Sequence, residues 1–397
     1  MTSPHVLVIS WNYPTPAAPQ RGLWVQRMAH AAALRASVTV IVPTPWVPPG
    51  LPIESLARFR AVPRHVVEAD VQVHFPRVAG SIEYYTHVHD ARLAGARVRA
   101  LARRLHSERP FDLIHAHFVF PDGVVAERIG RDLGIPVMTS EHAFWSTWFA
   151  QQPREASQVD AALPHIRLIA PVSQFLRDDV DGVLRGRART TVLPNVVDDQ
   201  VFHTEPIERD SDELLFVGLI RRFKRVDVLL HALALARKQR PRLHLKILSA
   251  NAFRAYAQDR REVNDLIDQL GLAAVIRIVP GSDPPAVADA MRRCALVVVS
   301  STRRETFCSV AAEALACGTP LVTTRCGGPE EFVGPEDGVL VPADDPQALC
   351  DGILQAMAQR ERFDGKSIAA RVVARFGRRA WSEQALGIYQ QLRQTAP

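Results

Sequence analysis

The feature that most limits how this chain folds is a two-part pattern, a short apolar run followed by a helix-compatible spacer, cycled in two successive series. The first series opens with residues 6–9 (VLVI), turn residues, an alanine-rich stretch over 23–34 and a second apolar run at 38–42. It continues through 112–114, 136–139 and 168–171. The second series comprises 214–217, 243–248, 275–279, 296–299 and 321–323. Apolar runs this short, spaced by helices, are the signature of parallel strands covered on both faces. The expectation is an α/β protein made of two Rossmann-like, doubly wound halves in tandem.

Length agrees, because 397 residues exceed what one hydrophobic core organises. We place a first domain at 1–192, a linker at 193–209 carrying Pro194, Pro206 and several acidic residues, and a second domain at 210–375. A C-terminal helix over about 376–397 is expected to return to the first domain. The proline-rich stretch 44–64 reads as a long irregular insertion. No short fixed-period repeat is present, which excludes a solenoid.

The apolar runs are strand-sized and far below the roughly 20 residues that cross a bilayer. The N-terminus has no basic segment ahead of its short apolar run, so it does not read as a secretory signal, and a cytoplasmic location is expected. Five cysteines without a CxxC pair indicate neither a disulfide framework nor a zinc site. A net charge of +6 and a pI near 9.3 suit anionic partners, be they phosphate groups, nucleic acid or anionic lipid. Charge alone does not choose among them.

The most informative stretch is 304–322, RETFCSVAAEALACGTPLV. Glu305 stands ahead of a helix, Glu313 two turns into it, and Gly318 and Pro320 end it. Free N–H groups at such a helix start suit a diphosphate, and two carboxylates beside it can take paired sugar hydroxyls. By spacing alone, two solvated glutamates on an ordinary helix explain it as well.

The E-x7-E arrangement of Glu305 and Glu313 is followed by A-x-G-x-P (316–320), C-G-G-P-E-E (326–331) and E-D-G-V-L-V-P (336–342). Together these resemble the donor-site signature of glycosyltransferase family 4. In the same order, 215–227 (LFVGLIRRFKRVD) resembles that family's V-G-R-L-x-x-x-K-G-x-D element and 193–198 (LPNVVD) its P-N-G-V-D hinge. HAHFVFPDG (115–123) and TSEHAFW (139–145) resemble its acceptor-domain loops, so the likeness covers nearly the whole chain.

The resemblance implies a GT-B fold, two Rossmann-like domains facing each other across a cleft. It also implies retaining transfer of a sugar from a nucleotide-diphosphate-sugar donor to a glycan or lipid-linked acceptor in envelope or exopolysaccharide synthesis; that no metal is bound is expected from the reading that the chain has no D-x-D cluster and no convincing ligand set. Lys224 matches the lysine that neutralises the donor diphosphate, and Glu305 and Glu313 match the paired donor-site glutamates. The family's arginine falls on Leu219, so Arg222 or its neighbour Arg221 is expected to supply that charge. His142 matches the histidine that faces the transferred sugar, and Gly22 the glycine loop that approaches the donor phosphates. His115 and His117 share a strand face; no third ligand at suitable spacing accompanies them, and packing is the favoured reading.

The nucleotide sugar is a co-substrate, and no cofactor is expected. A dehydrogenase lacks its G-x-G-x-x-G, and no nucleic-acid-binding motif appears. A sugar-phosphate-binding protein without catalysis is a further alternative, against which Glu305 and Lys224 stand. The basic amphipathic segment 91–109, with Leu93, Val98, Leu101 and Leu105 at helical spacing beside arginines, is either a peripheral contact with anionic membrane or a core-packed helix.

Overall fold

The computed structural model describes residues 3–46, 58–78, 91–249, 257–281 and 283–394; most of the proline-rich segment, 47–57, lies outside the described residues. The chain forms two units, one of Met1–Val196 with Arg378–Pro397, the other of Val197–Gly377.

In the first unit the order is β1 (His5–Ile9), α1 (Leu23–Ala33), β2 (Ser37–Ile41), β3 (Thr44–Pro45), β4 (His65–Glu68), β5 (Val71–His74), β6 (Arg77–Val78), α2 (Ala91–Glu108) and β7 (Leu113–His117). Then come α3 (Val124–Leu133), β8 (Val137–Glu141), α4 (Trp145–Gln151), α5 (Pro153–Ala162), β9 (Leu168–Pro171) and α6 (Gln174–Leu184). The main sheet runs β4-β5-β2-β1-β7-β8-β9, parallel except where β4 meets β5. All five residues of β1 are buried, as a central strand with both faces covered requires. Helix α1 buries Val25, Met28, Ala29 and Ala32, the i, i+3, i+4, i+7 stripe of a core-facing helix.

The C-terminal helix, Arg378–Gln394, belongs to this same core through Trp381, Ala385, Tyr389 and Leu392. Trp381 Nε1 donates to the carbonyl of Pro194 at 2.7 Å, so the buried indole is satisfied.

The second unit comprises β10 (Glu213–Val217), α7 (Val226–Arg237), β11 (His244–Leu248), α8 (Ala257–Gln269), β12 (Ile276–Val279), α9 (Pro284–Arg293) and β13 (Leu296–Val299). After these come α10 (Ser309–Ala316), β14 (Leu321–Thr324), β15 (Gly338–Val341), α11 (Pro346–Ala358) and α12 (Gly365–Phe376). Its sheet, β12-β11-β10-β13-β14-β15, is parallel throughout. Strand order reverses between β1 and β7 in the first sheet and between β10 and β13 in the second. In open α/β sheets the carboxyl ends flanking such a switch leave a crevice.

The segment expected as a linker, 193–209, is divided between the units. Leu193 and Val196 lie in the first core, whereas Phe202 is buried and Arg209 donates to Thr319 Oγ1 at 2.7 Å and to the Gly318 carbonyl at 3.0 Å. The anchoring is by scattered contacts with no periodicity, which is why it reads as a spacer.

Helix α2 is packed against its own unit. Val98 and Ala102 are fully buried, and the Asp132 carboxylate takes both Arg99 at 2.7 Å and Arg103 at 2.8 Å. The side chains of Arg92 and Leu93 lie outside the described residues. All five cysteines are buried free thiols.

Candidate functional site

In the second unit, the chain leaving β10 turns through a single 3-10 turn, Arg222–Lys224, and enters α7 by way of Arg225 in the left-handed region. The chain leaving β13 passes through Ser300, Ser301 and Thr302 to Glu305. These two loops flank the reversal of strand order, and there Lys224 Nζ meets Glu305 Oε1 at 2.6 Å. Burial works to lower the ammonium's pKa; attraction from Glu305 and the hydrogen bond to it outweigh this and hold Lys224 charged above its usual range.

The loops are fixed by short-range bonds. Ser300 Oγ donates to the Lys224 carbonyl at 2.8 Å, Ser301 Oγ to Glu305 Oε1 at 2.6 Å, and Thr302 Oγ1 to Asp344 Oδ2 at 3.1 Å. Asp344 in turn pairs with Arg225, the residue after Lys224. Glu305 itself is pinned through its backbone, donating to the Cys326 carbonyl at 2.9 Å and accepting from the Gly328 N–H at 2.8 Å. A Cβ at Gly328 would stand 2.6 Å from Phe307 Cα, so the glycine permits this backbone approach.

Helix α10 begins one residue after Cys308, a non-glycine residue at φ 67°. Glu313 is buried in the middle of α10, where its charge is felt by Cys317 one turn on. Arg222 is largely exposed and reaches Asp259 at 3.8 Å. The structure therefore brings Lys224 and Glu305 into direct contact, sets Glu313 within α10, the helix that follows Glu305, and directs Arg222 to an ion pair on α8.

In the first unit a second cluster forms at the ends of β7 and β8. His117 Nδ1 lies 3.3 Å from His142 Nε2, and the ring of His117 stacks on those of His115 and His142. His115 is occupied at both nitrogens, by Tyr389 Oη at 2.9 Å and Ser140 Oγ at 2.8 Å. Burial depresses all three imidazoles, His115 and His142 to about 3 and His117 well below its ordinary value. They are neutral at physiological pH.

Two buried carboxylates that the motif reading did not single out hold the surrounding loops. Glu141 accepts the N–H groups of Val119 at 3.1 Å, His142 at 2.8 Å and Ala143 at 3.1 Å. Asp122 accepts the Trp11 N–H at 3.2 Å and the Ser10 hydroxyl at 3.3 Å. Asp122 so joins the β1 loop to the β7 loop, and Glu141 joins the β7 loop to the β8 loop. A polar residue ending an apolar strand, as in MTSE at 138–141, is the signal that could have found Glu141.

Gly22 caps α1 at φ 65°, and a Cβ there would stand 2.0 Å from the Asn12 carbonyl oxygen. The glycine is needed by the loop's own backbone. The same loop is tied down by Tyr13, whose hydroxyl donates to Glu68 at 2.5 Å, and by Gln26, which donates to both Glu68 oxygens at 3.1 Å.

The expectation that the chain has no D-x-D is corrected: two such triplets occur, Asp179 to Asp181 and Asp210 to Asp212. Asp179 accepts the Trp145 and Ser146 N–H groups at the start of α4 and Asp181 takes the Thr190 hydroxyl, while Asp210 and Asp212 pair with His244 and Arg242. Among the described residues no group of three metal-ligating side chains converges.

Sequence and structure comparisons agree with this architecture. The profile described as Glycosyltransferase Family 4 matches residues 22–201, and that described as Glycosyl transferases group 1 matches 198–370. A D-inositol 3-phosphate glycosyltransferase of Frankia alni is 30% identical over 72% of this chain and 75% of its own length. A protein of the same name from Thermobispora bispora is 28% identical over 69% of this chain and 68% of its own length. Among solved structures, sucrose-phosphate synthase from Thermosynechococcus elongatus superposes with a TM-score of 0.74 at 21% identity, covering 98% of this chain and 99% of that one. Anabaena HepE in complex with UDP-glucose gives a TM-score of 0.72 at 18% identity, covering 98% and 99%. With both halves matched in order and the two parallel sheets in place, the chain belongs to glycosyltransferase family 4 and has the GT-B fold.

Proposed function

We propose that this glycosyltransferase moves a sugar, with retention of anomeric configuration and without a metal ion, from a nucleoside-diphosphate sugar to a glycan or lipid-linked acceptor in the cytoplasm. The observation that carries the donor half is the Lys224–Glu305 pair at the strand switch of the second unit. Lys224 would meet the diphosphate as a compact charge, with the N–H groups at the start of α10 beside it. Glu305 would hold hydroxyls of the transferred sugar, Glu313 the nucleotide side of the donor, and Arg222 would add charge at the rim. Structures of HepE with UDP and with UDP-glucose make UDP-glucose the first donor to try.

In the proposed step the bond between the anomeric carbon and the diphosphate oxygen breaks while the acceptor oxygen bonds to the same face of that carbon. The acceptor proton passes to the leaving diphosphate, whose growing charge Lys224 and the helix N–H groups stabilise. His142 contributes as a neutral imidazole that orients a sugar hydroxyl, and Gly22 lets its loop come close to the phosphates.

The relatives named for D-inositol 3-phosphate support a second acceptor class, a phosphorylated polyol, which the basic pI also suits. A panel of nucleoside-diphosphate glucoses offered with inositol phosphates and with lipid-linked sugars separates the two. Failure of every donor to bind or turn over would sink the reading.

A further inference from the structure

The hydroxyl of Ser301 and the ammonium of Lys224 converge on one oxygen of Glu305, each at 2.6 Å. Ser301 is fully buried and Glu305 is 8% exposed, so both bonds form away from water, where charge-assisted bonds are short and strong. A carboxylate offers about four lone-pair sites, two on each oxygen. Oε1 has both of its sites filled from inside the protein, while among the described residues no hydrogen bond reaches Oε2.

We infer that Ser301 is a positioning residue that assigns the two oxygens of Glu305, Oε1 to the protein and Oε2 to the sugar of the donor; this rests on the donor-contact reading of Glu305. Lys224 alone does not make that assignment, because an ammonium on a flexible stem can follow either oxygen as the carboxylate turns. The serine cannot follow. Its hydroxyl is on a short side chain, and its carbonyl accepts a bond from Thr324 Oγ1 on β14.

The neighbours of Ser301 act on the same pair from the other side. Ser300 holds the Lys224 carbonyl, and Thr302 holds Asp344, the partner of Arg225. Three successive hydroxyls after β13 thus fix a backbone atom of Lys224, a side-chain atom of Glu305 and the ion pair next to Lys224. Ser301 alone touches the carboxylate, which makes it the one to test.

Calorimetry with UDP-, GDP-, ADP- and dTDP-glucose first identifies the donor that the wild-type protein binds best. With that donor, Ser301→Ala is expected to weaken binding about tenfold while the matching sugar-free diphosphate binds within about twofold, the size expected for one lost bond to a charged group. Ser301→Thr keeps the hydroxyl and is expected to restore donor binding to within about threefold. Equal losses for donor and sugar-free diphosphate, or no rescue by threonine in a folded variant, would overturn the assignment.

A readout independent of any ligand separates this from failure of the donor reading. In a crystal structure of unliganded Ser301→Ala, the Glu305 carboxylate should rotate or occupy two orientations. A carboxylate unchanged from wild type would overturn the positioning role even if no glucose donor bound.

Discussion

Lys224 Nζ and Glu305 Oε1 lie 2.6 Å apart although 81 positions separate them in the chain. The side chains are 18% and 10% exposed, so each charge depends on the other for compensation. Removing one partner of such a pair leaves an unpaired buried charge and typically costs about 3–5 kcal/mol, whereas removing both is often close to neutral. Lys224→Met is therefore expected to lower the melting temperature clearly, and Lys224→Met with Glu305→Gln to recover most of it. Activity should not recover with stability. A double variant as unstable as the single one would show that the pair is not coupled in this way.

Glu305→Gln alone keeps the size of the side chain and loses the charge that strengthens its bonds near the reacting sugar. Turnover is expected to fall by about 100-fold or more, within the range measured for single stabilising groups at reacting centres. Lys224→Ala should weaken nucleoside-diphosphate binding far more than nucleoside binding. Calorimetry giving equal losses for the two ligands would remove Lys224 from the diphosphate.

The histidines of the first unit set a pH dependence of stability. Burial holds His115 at about 3 and His117 well below its ordinary value of 6.5, and both are 1% exposed. Each is neutral when folded and takes up a proton on unfolding once the pH drops below about 6.5, so the unfolded chain binds more protons and stability falls as pH falls. Both histidines weaken the first unit as pH falls below about 6.5, whereas Asp122 and Glu141, whose carboxyls burial raises, act in the opposite sense; the histidines are expected to dominate. Half-buried His74, lowered to about 4, adds to the same trend. Scanning calorimetry from pH 7.5 to 4.5 should show a steep loss of thermal stability. A flat profile, or one that rises as pH falls, would overturn a histidine-dominated pH dependence.

Metal-free retention makes two joint expectations. Activity should persist in EDTA, and NMR of the product should show the donor's anomeric configuration. Loss of activity on chelation with recovery in manganese or magnesium would refute the first, and an inverted product the second.

The strands were legible where burial is purely apolar. Residues 168–171 and 296–299 coincide with β9 and β13 to the residue. The apolar run 112–114 marked only the start of β7; His115 and His117, read separately as sharing a strand face, continue it as buried polar residues, satisfied by Ser140, Tyr389 and His142. The β4–β5 hairpin was missed for a different reason. Its turn places Ala69 and Asp70 at φ 48° and 64° without the glycine that usually marks such a turn. Motif order singled out Lys224 and Glu305, yet their contact depends on β10 and β13 lying side by side, a tertiary fact that residue spacing does not carry. Ser301 was invisible for the same reason.

The last prediction concerns α2 and membranes. A helix that docks on a bilayer buries an apolar face among the acyl chains and keeps its cations toward the headgroups. In α2 the described part of that face is largely used, since Val98 and Ala102 are fully buried within the unit and Gly95 packs closely on Val125, whose methyl carbon would stand 3.0 Å from a Cβ. Two of its arginines are also spoken for: Arg99 and Arg103 share Asp132. What remains to meet an anionic surface is charge without insertion, chiefly Arg104, 64% exposed and only 3.8 Å from Glu108, together with exposed Arg109. Attraction of that kind is screened beyond a Debye length of about 8 Å at physiological salt. Co-sedimentation with phosphatidylserine-rich vesicles should therefore be weak at 0.15 M salt, should rise as salt is lowered, and should fall when Arg104 and Arg109 are changed to glutamate. Strong binding that survives high salt would show an inserted apolar surface elsewhere on the protein and would overturn this account of α2.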